Sequence, residues 1–158
     1  MEQSDDLLNI VSKLNLSIID QTTDDRFITF FIGIYDENDM TLEYINAGHN
    51  PPLHYTKSKK IEKLRTGGIF IGFLPFEYKS DRIQLNSGDI LVFYTDGLVE
   101  AMNAKDDEFG EDNVINIIKK KSKSTSRIIQ KNLIDDVKKH IGDKKLEDDF
   151  TLVVAKMK

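Results

Sequence analysis

At 158 residues, the chain is long enough for one domain with a proper core and too short for two. Hydrophobic residues make up 39% and charged residues 31%, with a net charge of −5. This composition excludes a disordered chain and disfavours a nucleic-acid binder, which needs basic faces. With no cysteine, disulfides and thiolate metal sites are also excluded.

The acidic start, Met1 to Asp6, has no apolar core of a signal peptide, and no apolar run reaches membrane-spanning length. The expectation is a cytoplasmic protein with neither nucleic acid nor membrane as partner. Residues 5 to 19 are expected to form a helix capped by Ser4 or Asp5, because Leu7, Val11, Leu14 and Ile18 recur on one face. The break is Gln21 to Asp25. Phe27 to Tyr35 is apolar on both faces and reads as a central strand covered on both sides.

Asp36 to Asp39 turns the chain, and Thr41 to Ala47 returns as the partner strand of a hairpin. Leu53 to Tyr55 and Ile61 to Leu64 flank a polar turn and form a second, shorter hairpin. Gly67 to Gly72 reads as a loop that must pack closely. Lys79 to Leu85 alternates, with Ile83 and Leu85 on one face, and Asn86 to Asp89 turns into a strand from Ile90 to Thr95. His54 and His140 show no evident partners.

After Asn103 to Glu108, a polar loop, Asp112 or Asn113 could cap a helix carrying Val114, Ile117 and Ile118. Its end, Lys119-Lys120-Lys121-Ser122-Lys123, reads either as a solvated helix terminus favoured by the dipole or as a binding patch. Ser126 could cap a further helix with Ile128, Ile129, Leu133, Val137 and Ile141 on its face and Gly142 closing it. Phe150 to Met157 is the last strand. Hairpins with helices gathered at the start and near the end indicate an α+β fold with a mainly antiparallel sheet.

Two places could carry chemistry. Asp96-Gly97 follows a strand and is either a hairpin turn or a corner that lifts a carboxylate into a cleft; Leu98 to Met102 looks helical rather than like a return strand. Glu147-Asp148-Asp149 precedes the last strand and is either a solvated loop or a cation site, since three adjacent acids repel unless screened. Hard cations such as Mg²⁺ or Mn²⁺ take oxygen ligands and keep several waters, so two or three carboxylates suffice. His49, between Gly48 and Asn50-Pro51-Pro52, is either structural or auxiliary to catalysis. No nucleophile elbow or phosphate-binding glycine loop is present.

Taken together, Asn46-Ala47-Gly48-His49-Asn50-Pro51-Pro52, Gly88-Asp89-Ile90, Tyr94-Thr95-Asp96-Gly97-Leu98-Val99-Glu100-Ala101, Phe109-Gly110-Glu111 and Asp148-Asp149-Phe150-Thr151-Leu152-Val153-Val154 follow one another at a characteristic spacing. The set resembles the bacterial SpoIIE (RsbU-like) branch of the metal-dependent PPM serine/threonine phosphatases over essentially the whole chain, 1–158. The resemblance implies an αββα sandwich of antiparallel sheets flanked by helices. It implies a Mn²⁺ or Mg²⁺ centre with Asp96 and Asp148 as ligands, Gly97 beside the first and Asp149 beside the second.

The implied reaction is hydrolysis of phosphoserine or phosphothreonine by metal-activated water. The implied substrate is a regulatory protein of the anti-anti-sigma (STAS) type in a partner-switching pathway. The family's N-terminal Gly-Asp metal aspartate and its Asp-x-x-Gly-His-Gly segment have no counterpart here; Gly88-Asp89 and Gly142-Asp143 are turns, and Asp24-Asp25 lacks the glycine. An N-terminally truncated domain is therefore expected, the C-terminal majority of the family's domain, either as part of a longer phosphatase or as a truncated gene product. The alternative is a catalytically inactive module that binds a partner protein. Strands left without neighbours predict self-association into a homodimer.

Overall fold

The computed structural model of the chain describes residues 2–21, 26–145 and 148–158, with side chains from Leu7 onward. The elements in order are α1 (Glu2–Gln21), β1 (Phe30–Asp36), β2 (Thr41–Ala47), β3 (Leu53–Tyr55), β4 (Ile61–Lys63), β5 (Gly67–Gly68) and β6 (Asp81–Gln84). They continue with β7 (Ile90–Tyr94), α2 (Asp96–Val99), α3 (Glu111–Lys121), α4 (Ser126–Ile141) and β8 (Leu152–Lys156). The class is α+β, with sheets that are mainly antiparallel, as the pattern of hairpins requires. The chain divides into two compact units, 1–51 with 64–85 and 52–63 with 86–158.

The first unit joins α1 to a sheet in which β2 pairs with β1 and β6 antiparallel and with β5 parallel. Its core is Leu7 and Val11 of α1 against Ile45, Ala47, Ile71 and Tyr78. The predicted helical stripe is thus the buried one. Asn15 lies on the same helix and is also buried; its amide donates to Leu74 O at 2.9 Å and its oxygen accepts from Gly72 N at 2.8 Å. These bonds anchor the glycine-punctuated segment to α1. Gly67 approaches β2 so closely that a Cβ there would lie 1.9 Å from Asn46 O, which is why this position has no side chain.

Three expectations are corrected in this unit. The helix begins at Glu2, so Ser4 and Asp5 lie within it rather than ahead of it. The strand from Phe30 is not covered on both faces: it pairs with β2 alone among the described strands, and its side chains alternate between half-buried and exposed toward its end, with Tyr35 47% exposed. An apolar run reads as doubly buried, but pairing on one side only makes it an edge. Finally, the glycine segment opens with a two-residue strand rather than being wholly loop. Of the expected break at 21–25, Gln21 still belongs to α1, and 22–25 lie outside the described residues.

The second unit is a sheet in the order β4-β3-β7-β8, antiparallel throughout, with α3 and α4. Its core gathers Leu53, Ile90, Val92, Leu98, Val114, Ile118, Ile129, Leu133 and Val137. The apolar faces predicted for α3 and α4 are the buried ones, except Ile128, which is 47% exposed because it falls one residue off the Ile129–Leu133–Val137 stripe. Both caps shift by a residue or more. Gly110 precedes α3 without a side-chain cap, placing Asp112 and Asn113 inside its first turns, and Thr125 rather than Ser126 caps α4, accepting from Ile128 N. Gly142 closes α4 with φ +64°, as expected.

Candidate metal centre

The end of the β7–β8 pair is where the predicted residues meet. The ladder runs from Ile90↔Lys156 to Tyr94↔Leu152, and Thr95 and Thr151 continue it. Thr95 N donates to Thr151 O at 3.2 Å, and Thr151 N donates to Thr95 Oγ1 at 2.9 Å. One residue further, Asp96 opens the short helix α2, and on the partner strand's side Asp148 and Asp149 lead into β8. Antiparallel pairing thus brings carboxylates about fifty positions apart to one tip.

Gly97 shows how tight this corner is. It is buried, and a Cβ on it would lie 2.8 Å from Asp149 O. The glycine serves close backbone approach between the two tips, since its φ is not in the left-handed region. The hairpin-turn reading of Asp96-Gly97 fails: a helix follows the strand, with Glu100 N donating to Asp96 O at 2.9 Å.

The carboxylates of Asp96, Asp148 and Asp149 are all exposed. Asp96 Oδ1 accepts from Gly97 N at 3.0 Å and Asp148 Oδ1 accepts from Asp149 N at 2.8 Å. Each is thereby oriented by one local bond and keeps its second oxygen for another ligand. A cleft of about 190 Å³ adjoins the tip, lined by Gly97, Glu100, Met102, Glu108, Lys145 and Asp148 among others. Glu147 lies outside the described residues.

These donors are all oxygen and mostly anionic, the class that suits Mg²⁺ or Mn²⁺. The donor type fits such a cation. The number is small: among the described residues no three acidic or histidine side chains form a group that could hold a metal. Asp96 and Asp148 would therefore hold a largely hydrated cation, with Gly97 and Asp149 shaping the backbone around it.

His49 belongs to the first unit. Its Nδ1 is 3.3 Å from Thr29 Oγ1, and its backbone N donates to Asn46 Oδ1 at 2.8 Å. Asn46 is itself buried and also donates to Leu64 O at 3.0 Å, so the Gly48-His49 corner hangs on one asparagine.

Several participants were not legible beforehand. Glu111, noted only as part of a motif, sits in the first turn of α3, where it pairs with Lys63 of β4 and accepts from Tyr94 Oη at 2.8 Å. It braces the end of β7 just before Asp96. His54 and His140 do have partners. His54 Nε2 lies 3.0 Å from Asp89 Oδ2, and His140 Nε2 lies 2.9 Å from Asp107 O. Alternation gives no signal for His54, which lies on the face opposite Leu53 and Tyr55 although all three are buried.

With this arrangement established, comparison with known proteins is decisive. The family model described as Stage II sporulation protein E (SpoIIE) matches residues 1–158. The chain belongs to the SpoIIE family. The phosphoserine phosphatase RsbU of Bacillus subtilis (strain 168) is 28% identical over 152 residues, which cover 94% of this chain and 44% of RsbU. Among solved structures, the SiaA-PP2C domain of Pseudomonas aeruginosa superposes with a TM-score of 0.83 at 12% identity, covering 96% of this chain and 61% of that one.

The phosphatase domain of SpoIIE from Bacillus subtilis, solved with a fragment of its regulatory domain, gives 0.69 at 22% identity, over 94% and 48%. At these identities the superpositions establish the PP2C fold. The SpoIIE-family chain spans less than half the length of RsbU. No helix among the described residues is long and apolar enough to cross a membrane.

Proposed function

We propose that this SpoIIE-family chain takes part in hydrolysing phosphoserine or phosphothreonine on a bacterial regulatory protein, with Asp96 and Asp148 holding Mn²⁺ or Mg²⁺. The observation that carries the reading is the meeting of Asp96-Gly97 with Asp148-Asp149 at the paired tips of β7 and β8. When bound, such a cation supplies charge neutralisation at phosphoryl oxygens and a more acidic water. The chain's own contribution is to orient the two carboxylates through Gly97 N and Asp149 N. Its braced strand end, Tyr94–Glu111–Lys63, keeps them in place.

RsbU's description as a phosphoserine phosphatase supports the same reaction class. An anti-anti-sigma (STAS) protein is the substrate we assign, within a cytoplasmic partner-switching pathway. One observation favours a second reading, a module that binds its partner without turnover: the described residues form no group of three acidic or histidine side chains.

Hydrolysis of p-nitrophenyl phosphate with Mn²⁺, with Mn²⁺ binding measured alongside by calorimetry, separates the readings. Turnover and binding that Asp96→Asn and Asp148→Asn each reduce at least about tenfold support the enzyme. Binding without turnover supports the binding module. Turnover unaffected by Asp96→Asn refutes the metal role.

A further inference from the structure

The helix pair of the second unit carries a feature unrelated to the β7–β8 tip. Between α3 and α4 runs a groove of about 370 Å³. The buried side chain of Ile117 underlies it, Asn116 and Lys120 stand on the α3 side, and Asp136, Lys139 and His140 stand on the α4 side. His140 is held in the wall by Asp107 O and by an edge-on contact with Phe109, the ring centres 5.5 Å apart. The side chains of Asn116, Lys120 and Lys139 make no hydrogen bond or ion pair among the described residues.

Charge is also unevenly distributed. Residues 111–145 hold ten lysines and arginines against five acidic residues, while the whole chain has 22 against 27. The basic charge of an acidic protein is thus concentrated on the segment that forms this groove.

We infer that the α3–α4 groove docks a short acidic segment of a protein partner. Two ammonium groups and a side-chain amide face it from opposite walls without internal partners, so carboxylates entering the groove would gain charge-assisted bonds without breaking any. Asp136 in the wall and the net negative charge of the rest of the chain disfavour a long polyanion, which would extend past the groove into repulsion. The groove is concave, whereas binding to a lipid surface requires a basic face flanked by inserting apolar side chains. The inference is independent of metal binding and of turnover.

The test is a titration of the ¹⁵N-labelled 158-residue chain with a short acetylated Glu/Ser peptide, with a Gln/Ser peptide as control. Backbone amide shifts are expected at Asn116, Lys120, Lys139 and His140, weakening as salt rises. The control should leave them unmoved, and K120E/K139E should lower affinity at least about tenfold. These lysines are exposed, and K120Q/K139Q, with a smaller expected loss, guards against a folding effect of charge reversal. Shifts located elsewhere, no binding, or tighter binding of oligo-dT or phosphatidylserine vesicles to the same residues would each overturn the inference.

Discussion

The imidazole of His54 and the carboxylate of Asp89 form a fully buried pair, Nε2 lying 3.0 Å from Oδ2. An ionised carboxylate only accepts, so Nε2 carries the proton. The same carboxylate accepts from Asn86 N at 2.9 Å and from Lys57 N at 2.6 Å. One side chain therefore ties the turn of the β3–β4 hairpin, the turn before β7 and the middle of β3. Asp89→Ala removes the acceptor of one buried and two part-buried donors at once, and we expect a loss of about 3–5 kcal/mol in urea unfolding. A loss under about 1 kcal/mol would show that the cluster contributes little.

Protonation of Asp89 should be visible as well. Burial pushes its carboxyl up, but the hydrogen bonds from Asn86 N, His54 and Lys57 N outweigh that and hold it below the ordinary carboxylate value. A value depressed in the folded state stabilises the fold above the unfolded value, near pH 4, and that contribution disappears as pH falls through the folded value. In Asp89→Asn, unfolding measured from pH 6 downward should show a weaker acid dependence than in the native chain.

Gly97 has no room for a methyl group, because Asp149 O would lie 2.8 Å from it. Gly97→Ala must push the β8 tip away from Asp96. Thermal unfolding should register a destabilisation of about 1–3 kcal/mol, and calorimetry a loss of Mn²⁺ affinity. A folded Gly97→Ala chain with native Mn²⁺ affinity would show that the spacing of the two tips does not matter for the metal.

Asn15 holds the 72–74 loop through both ends of its amide. Its replacement by alanine should cost about 2–4 kcal/mol and speed amide exchange at Gly72. Replacement by leucine, which keeps apolar contact with the core, should not restore that protection.

The outer edge of β1 has no strand partner among the described residues, and Phe27, Ile28 and Tyr35 are exposed beside or along it. Flat apolar edges associate. Sedimentation is expected to show a dimer that grows with concentration, and Tyr35→Lys should shift it toward monomer. A monomer at every concentration would refute the role of the edge.

Much of this chain is local and readable. Val114, Ile117 and Ile118, or Ile129, Leu133 and Val137, mark a buried helix face because periodicity alone sets which side chains meet the core. The hairpins at residues 36–41 and 55–61 follow from polar turns between strand-forming runs. The order of the Gly-His, Asp-Gly and Asp-Asp segments carries the likeness to the SpoIIE family by itself.

Whatever depends on partners distant in sequence was hidden. Whether Phe30–Asp36 is central or an edge is decided by how many strands pair with it, which an apolar run does not encode. His54 and Asp89, 35 positions apart, meet only because β3 pairs with β7. The sequence by itself determined the class of the elements and the apolar faces of the helices, because those are properties of neighbours along the chain. Tertiary structure alone decided which carboxylates share a strand tip, and which buried groups hold that tip's sheet together, because both depend on strand register.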